Sequence, residues 1–455
     1  MKRLIILVCL LLIFTSCTLN QPERPNGSNK NNTESITIFF TGNERGALKP
    51  CGCTGGQLGG LNRRPVIFDR VSEDKRLIVD TGTLVEDNGM QDLIKFDILI
   101  QALNRLGYDL LCLSQKDVEI INYNYGNTLE YINSDFNIIE PTGTFNEPNN
   151  PVRNKFIKQF QLQSSALTVT IAACDVNSTP IAFIDDLYFS DTTDQSEINV
   201  NILILNRLDQ GIRDEIAAKA PLVDCLIGPA SSDQPMLVGD IGKRPLAFSM
   251  GRYNRYISMV KIDPANTDNK ISLSFQSVPV TEDLEENQDM KNLYTIYQEL
   301  VKENKLLENY PRFSYPDGLK YEGSYSCSEC HEHESECVEW MDSDHSNAYA
   351  TLVEVGSQYD PECIECHVAG MKYDTGYISE EKTPLLKDVG CENCHGPGNL
   401  HNKDPEKYKT TILEPKEACS ECHTPEHDGD YLGHEEEKLQ LIMHWTEPNV
   451  PSDVK

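Results

Sequence analysis

The sequence predicts an α/β domain followed by a mainly α, loop-rich domain. Short apolar runs alternate with helical patterns over the first 280 residues. Nine of the 16 cysteines lie between Cys327 and Cys422, and residues 321–455 carry 30 acidic but only 9 basic side chains. This change of composition divides the chain into two domains of different chemistry.

The net charge of the 455-residue chain is −31. A surface this acidic repels the phosphates of nucleic acids, which argues against DNA or RNA as partners. It favours basic partners, or serves the solubility of the protein.

The N-terminus predicts export from the cytoplasm. The apolar run Leu4–Phe14 follows Met1-Lys2-Arg3 and is too short for a comfortable membrane span. Thr15-Ser16-Cys17 resembles the bacterial lipoprotein signal, which implies lipid on Cys17; an ordinary cleaved signal peptide is the alternative. We therefore expect a signal peptide at 1–17, a polar disordered tether at 18–35, and a lipid-anchored protein on the periplasmic side of a bacterial membrane.

The strands and helices predicted for residues 36–280 follow each other in α/β order. The predicted strands are Ile36–Phe40, Leu77–Asp80, Asp109–Leu113, Asn201–Leu205, Val223–Ile227, Pro245–Phe248, Tyr256–Ile262 and Ile271–Val278, with a hairpin over Phe156–Ala173. Helices are predicted at Asp92–Leu106 and Gln210–Ala220. Residues 281–320 are predicted as a helical connector, because apolar residues recur at helical spacing between Met290 and Leu300.

Loops after these strands resemble those of calcineurin-like metallophosphoesterases of the 5′-nucleotidase type. The similar stretches are Phe39–Gly46, Pro50–Cys53, Gly59–Arg64, Val79–Gly82 and Gly251–Tyr256. The resemblance implies a four-layer sandwich, two sheets with helices outside, and a two-metal site of Asp, His and Asn side chains. Cys51 and Cys53 lie inside these stretches, and a structural or a redox or metal role is open for them.

The metal ligands that the resemblance implies are replaced in this chain. Other residues stand at the motif positions: Asn43 and Arg45 in the first, Thr83 in the second, Gln115-Lys116 in the third, and Asn206-Arg207 and Ala230–Ser232 at the late histidines. No histidine precedes His331. Such a site would bind metal poorly, so we expect the domain to be an inactive scaffold or docking surface.

The second domain, residues 321–455, contains the sequence Cys-x-x-Cys-His four times within 97 residues. This is the attachment motif of c-type haem, in which both thiols bind the haem and the histidine binds iron from the proximal side. We predict four covalently bound haems, because zinc ribbons do not require the following histidine. The thiol pairs are Cys327 and Cys330, Cys363 and Cys366, Cys391 and Cys394, and Cys419 and Cys422; the proximal ligands are His331, His367, His395 and His423.

Two stretches resemble tetrahaem cytochromes of the cytochrome c554 type, Trp340–Ala348 and Gly390–His401. The resemblance makes His345 and His401 candidates for the distal side of the iron. His444 follows a short apolar run and is a third candidate. His333 follows the proximal ligand His331 too closely to turn back to an iron, and His427 and His434 are expected to be surface residues.

One iron is expected to lack a sixth ligand. The relatives have a distal histidine between the second and third motifs, and this chain has none between His367 and His395. Either His444 or another residue substitutes for it, or one more haem lacks a sixth ligand. We expect the second haem, at Cys363 and Cys366, to be five-coordinate, with Met371 as an alternative ligand. The leading hypothesis is an electron carrier; the alternative is an oxidoreductase acting on nitric oxide, nitrite or hydroxylamine at the open iron.

Overall fold

The structure is a computed structural model, and it describes most of the chain between Ser35 and Ile442. The residues that it leaves undescribed are 1–34, 51–56, 126–135, 142–153, 164, 190–197, 241, 265–270, 316–317, 332–334, 410–415, 425–426, 429 and 443–455. The predictions for Cys17, Cys51, Cys53, His333 and His444 therefore fall outside the described residues. No helix in the described part is long and apolar enough to cross a bilayer.

The described residues of the first 280 positions form two six-stranded sheets. The strands are β1 (Ile36–Thr41), β2 (Arg76–Asp80), β3 (Leu110–Cys112), β4 (Asn137–Ile139), β5 (Lys155–Gln161), β6 (Ala166–Cys174), β7 (Ile198–Leu205), β8 (Cys225–Gly228), β9 (Met236–Leu237), β10 (Leu246–Ser249), β11 (Tyr256–Pro264) and β12 (Ile271–Pro279). The first sheet has the order β12-β11-β1-β2-β3-β4, and the second has the order β5-β6-β7-β8-β10-β9.

The helices of the N-terminal part cover the outer faces of the sheets. They are α1 (Arg64–Phe68), α2 (Met90–Arg105), α3 (Gln115–Tyr125), α4 (Gln210–Lys219) and α5 (Gln288–Glu303). Short 3-10 turns lie at Leu61–Arg63, Glu73–Lys75 and Ile181–Phe183, and a π-helical turn lies at Asp185–Phe189. Helix α5 begins at Asn287, whose side chain accepts a hydrogen bond from the Met290 backbone N–H.

Three apolar clusters show the layering. One lies between the first sheet and the helices, with Phe39, Phe96 and Leu293 among its members. The second fills the space between the two sheets, and the third packs α4 on the outer face of the second sheet. The predicted four-layer α/β sandwich is confirmed. The predicted connector helix packs on the first sheet through Met290, Leu293 and Tyr297, so it is part of this sandwich core.

The sequence analysis did not predict two short strands and two helices that the structure contains. Strands β4 and β9 have three and two residues, which is too short for an alternating pattern to be visible. Helix α1 has five residues and begins at the Arg64-Pro65 pair, and α3 is rich in Asn, Tyr and charged residues. Both helices form because they pack against the first sheet.

The C-terminal part is helical and rich in loops, as predicted. Its helices are α6 (Ser324–His331), α7 (Ser335–Met341), α8 (Ala348–Glu354), α9 (Pro361–Ile364), α10 (Cys391–His395), α11 (Asn399–Lys403), α12 (Lys416–Cys419) and α13 (Glu435–Ile442), with 3-10 turns at Asp344–Asn347 and Pro384–Leu386. Among its described residues, one apolar cluster forms, around Ile364, Val368 and Tyr377. Most of this part therefore lacks an apolar core made of side chains.

The carboxyl ends of β1 and β2 are level, since Thr41 lies opposite Asp80 in the parallel pair. The loops that follow them are joined by hydrogen bonds from the Asn43 N–H to the Gly82 carbonyl and from the Arg45 N–H to the Thr83 carbonyl. Asp117 connects the loop after β2 to the loop after β3. Its carboxylate accepts hydrogen bonds from the backbone N–H groups of Thr83 (2.7 Å), Leu84 (2.9 Å) and Ser114 (2.9 Å). Thr83 has a positive φ of 62°, a strained conformation that these bonds stabilise.

Replacing Asp117 by Ala should lower the free energy of unfolding by roughly 3 kcal/mol or more, because three buried backbone donors lose their acceptor. The control is Asp209→Ala, which removes an exposed N-cap of α4 (Oδ1 to Ile212 N, 2.9 Å) and should cost about 1 kcal/mol. Urea unfolding followed by far-UV circular dichroism measures both. Equal losses in the two variants would contradict the role given to Asp117.

Candidate haem-attachment site

Each of the four motifs forms one helical turn. The first and third lie within α6 and α10, and the second and fourth begin in α9 and α12 and continue as turns. In the second motif the His367 N–H donates to the Ile364 carbonyl (2.9 Å), and in the fourth the His423 N–H donates to the Cys419 carbonyl (2.9 Å). A turn of this kind places both cysteines and the histidine on one side of the backbone.

Two of the predicted proximal histidines are oriented by hydrogen bonds at Nδ1. His367 Nδ1 lies 2.6 Å from the Ala348 carbonyl oxygen, and His423 Nδ1 lies 2.7 Å from Asp428 Oδ2. Both oxygens accept, so Nδ1 carries the proton in each ring and Nε2 is the nitrogen left to bind a metal. Burial also lowers the pKa of His367, which favours its neutral form. These residues fit a haem iron.

The motifs contact each other in pairs that the sequence did not predict. The Cys327 thiol of the first motif donates to Cys391 of the third, which lowers the pKa of Cys391 to about 6. The Cys422 thiol of the fourth likewise donates to Cys366 of the second. Helix α10 also packs against α12. The contacts therefore link the first motif to the third, the third to the fourth, and the fourth to the second.

His345 lies beside the fourth motif, although in sequence it follows the first motif and is 78 residues from His423. Its ring centroid is 6.1 Å from that of His423, with an interplanar angle of 61°. Metal–nitrogen bonds of about 2 Å on both sides of one ion would leave two ring centroids roughly 6 Å apart. Burial and the neighbouring His423 lower the pKa of His345, so the neutral, metal-binding form is favoured. The geometry thus fits His345 as the partner of His423.

His401 lies on α11, next to the first motif. Its neighbour Asn402 donates to Ser326 Oγ (3.2 Å), the residue before Cys327. His401 Nδ1 donates to the Tyr408 carbonyl (2.9 Å), which again leaves Nε2 for a metal.

The remaining candidates differ in their surroundings. His427 and His434 are exposed, and the charge of His427 acts on His367. Met371 is 2% exposed and packs with Ile364 and Val368 in the apolar cluster.

Glu392 ties the first and third motifs together. Its buried carboxylate accepts hydrogen bonds from the backbone N–H groups of Glu322 (3.0 Å), Gly323 (2.7 Å) and Gly398 (2.7 Å). Burial raises its pKa and these three bonds lower it, with burial the larger effect. The sequence analysis did not single out Glu392 or Asp428. Their position within or five residues after a motif is the only signal in the sequence.

Residues that stand at the predicted metal-ligand positions make ion pairs and hydrogen bonds within the protein. Arg45 pairs with Glu86, and Asn206 Nδ2 donates to Asp175 Oδ1 (2.5 Å). Asn43 and Arg45 have positive φ angles of 55° and 51°. Within the described ranges, no three His, Cys, Asp or Glu side chains are grouped so that they could hold a metal ion.

Comparison with known proteins relates the C-terminal part to c-type cytochromes. Residues 326–396 match the family model of cytochrome c554 and c-prime. Cytochrome c-554 of Nitrosomonas europaea is 33% identical over 136 residues, which is 23% of this chain and 57% of that protein. The chain thus spans little more than half the length of this curated relative. The family match includes the first three motifs, and a c-type cytochrome holds haem covalently.

The chain is also similar in structure to solved phosphoesterases. A 5′-nucleotidase precursor from Thermus thermophilus has 13% identity and a TM-score of 0.43, covering 62% of this chain and 61% of that one. The calcineurin-like phosphoesterase YfkN from Bacillus subtilis has 13% identity and a TM-score of 0.42, covering 58% and 97%.

Glu392→Ala should loosen the joint between the first and third motifs, because three backbone donors lose a shared acceptor. We expect a loss of roughly 2 kcal/mol or more in the stability of this part and faster proteolysis within residues 318–400. Limited proteolysis with mass mapping measures this. Glu392→Gln retains one acceptor oxygen and should show a smaller effect; equal cleavage of Glu392→Ala and the unchanged protein would contradict the assignment.

Proposed function

We propose that this protein is an extracytoplasmic tetrahaem c-type cytochrome that transfers electrons. The observation that supports it best is the contact of the four attachment turns in one series: first, third, fourth, second. Haems attached at neighbouring turns would lie close together, as electron transfer between them requires. Haem supplies one-electron chemistry at iron when it is bound.

The protein's own residues orient the ligands and set their surroundings. His331, His367, His395 and His423 are the proposed proximal ligands. His345 is proposed as the distal ligand opposite His423, and His401 as the distal ligand of the first haem. His444 remains a distal candidate by sequence alone.

We propose that the phosphoesterase-like part does not hydrolyse phosphate esters. Asn43, Arg45 and Thr83 replace metal ligands, and Arg45 would place a positive charge where cations bind. The part then serves as a scaffold. Return of nucleotidase turnover with added Mn²⁺ or Zn²⁺ would overturn this.

The location and the partners are proposed from charge and from the N-terminal signal. Cys17 would carry lipid on the periplasmic side of a bacterial membrane, with residues 18–35 as the tether. The C-terminal part has a net charge of −21, which would attract basic redox proteins.

A second candidate function, an oxidoreductase for a small nitrogen species, is favoured by the surroundings of His367. Among the described residues, the imidazole that acts on His367 is that of exposed His427, whereas His345 and His423, both partly buried, form a ring pair. An iron bound at this turn would have an open side for nitric oxide, nitrite or hydroxylamine.

The first test is the haem count. The purified protein should contain four haems per chain by the pyridine haemochrome assay and by intact mass. Changing both cysteines of one motif to Ser should remove one haem each time. Cys337→Ser is the matched control, because Cys337 belongs to no motif, and it should retain four. Fewer than four in the unchanged protein would contradict the proposal.

The second test is electron paramagnetic resonance of the oxidised protein, repeated on the reduced protein with nitric oxide. We expect one high-spin iron that binds nitric oxide and is absent from Cys363→Ser/Cys366→Ser. His345→Ala should create a further high-spin iron, and His427→Ala should change nothing. A different result would be that the unchanged protein shows only low-spin signals and His427→Ala shows a high-spin signal. This result would make His427 the sixth ligand and exclude the nitrogen chemistry.

A further inference from the structure

The turn of the second motif, Cys363–His367, begins in helix α9, which contacts the N-terminal sandwich. Asp360, the N-cap of α9, accepts hydrogen bonds from Gln91 Nε2 of α2 (2.8 Å) and from the Tyr297 hydroxyl of α5 (3.0 Å). Glu362, the residue before Cys363, accepts from Lys95 Nζ of α2 (2.6 Å). Three side chains of the sandwich thus fix the start of the turn that contains Cys363 and Cys366.

The contact brings two cations to this turn. Lys95 is only 4% exposed, so its charge is held by its ion pair with Glu362. Lys49, from the loop after β1, donates to the Val355 carbonyl (2.7 Å) and lies 3.9 Å from the centre of the Tyr294 ring. Both ammonium groups act electrostatically on the Cys363 sulfur.

Two carboxylates oppose these cations. Asp360 and Glu362 also act on Cys363, with the opposite sign. Two positive and two negative charges therefore surround the second turn. Asp360 and Lys95 are buried, Lys49 is partly buried and Glu362 is exposed. Removing the charge of Lys95 should have the largest effect, because Coulomb interactions are stronger away from water.

The cations come from the phosphoesterase-like edge of the sandwich. Gly46, in the loop after β1, packs against Lys95 with a φ of 80°, and a Cβ there would lie 3.0 Å from Lys95 Cδ. The same loop continues to Lys49. The loop that corresponds to the first metal motif thus contributes one cation and supports the other.

We propose that the N-terminal sandwich positions the second haem through Gln91, Tyr297 and Lys95, and raises its reduction potential through Lys95 and Lys49. This inference rests on the proposed haem at Cys363 and Cys366. Ferric haem carries one positive charge more than ferrous haem, so cations nearby favour the ferrous state. The step is the uptake of one electron by Fe(III) to give Fe(II), with the electron supplied by an electrode and no protein bond made or broken.

The experiment is a spectroelectrochemical titration of the purified holoprotein. The second haem is identified as the component that is missing from the titration of Cys363→Ser/Cys366→Ser. Lys95→Gln should lower the midpoint potential of this component by about 59 mV, which is a tenfold change in the ratio of reduced to oxidised haem. Glu362→Gln should raise it, and the double variant should lie near the unchanged protein. Lys302→Gln is the control, since exposed Lys302 contacts Tyr359 (3.1 Å) at the same junction and should shift nothing.

Haem content separates the two proposals. Fewer than four haems in the unchanged protein counts against the proposed function. Four haems in Lys95→Gln with an unchanged second potential, or an equal shift of all four, would overturn this inference. If Lys95→Gln fails to fold or loses the haem, the same titration is made on Lys49→Gln. A lowered potential of the second haem would then support the inference, and an unchanged potential would refute it.

Discussion

The burial of Asp360 is the interaction on which the joining of the two parts depends. This carboxylate is 5% exposed and accepts hydrogen bonds from α2, from α5 and from the backbone of its own helix α9. Burial raises its pKa, with Lys95 lowering it. A carboxylate so far from water is tolerated only while its donors are in place, so the two parts must keep one relative position. The turn of the second motif is fixed in the same position, because Cys363 lies three residues after Asp360.

The sequence predicted the sandwich core well, because the core depends on local patterns. The long strands β1, β7 and β11 were predicted to within three residues at either end, since each is an apolar run bounded by turn residues. The pairing of motifs was not predictable. His345 and His423 are 78 residues apart, and nothing in either segment indicates the other. The ion pair of Lys95 and Glu362 was not predictable either, because nothing in the sequence distinguishes these two residues from other charged residues.

The loops at the carboxyl ends of β1, β2 and β3 are held by bonds within the protein. Asp117 binds three backbone donors of these loops, and Arg45 pairs with Glu86. Beneath them, buried Glu44 pairs with Arg64 (2.9 Å), and burial raises the pKa of Glu44. Together with the hydrogen bonds from the Asn43 and Arg45 N–H groups to the Gly82 and Thr83 carbonyls, these bonds join the loops to one another.

Charge is distributed in opposite ways inside and outside the C-terminal part. The exposed side chains are strongly acidic, and water and salt screen them over about 10 Å. Lys95 at the second turn is 4% exposed, and Coulomb interactions are several times stronger away from water. With a haem at this turn, a distant acidic surface would attract a partner without setting the potential of that haem, and Lys95 would raise the potential without attracting a partner. On the proposals above, the acidic part would meet partners, and the sandwich would set the potential of the haem that it contacts.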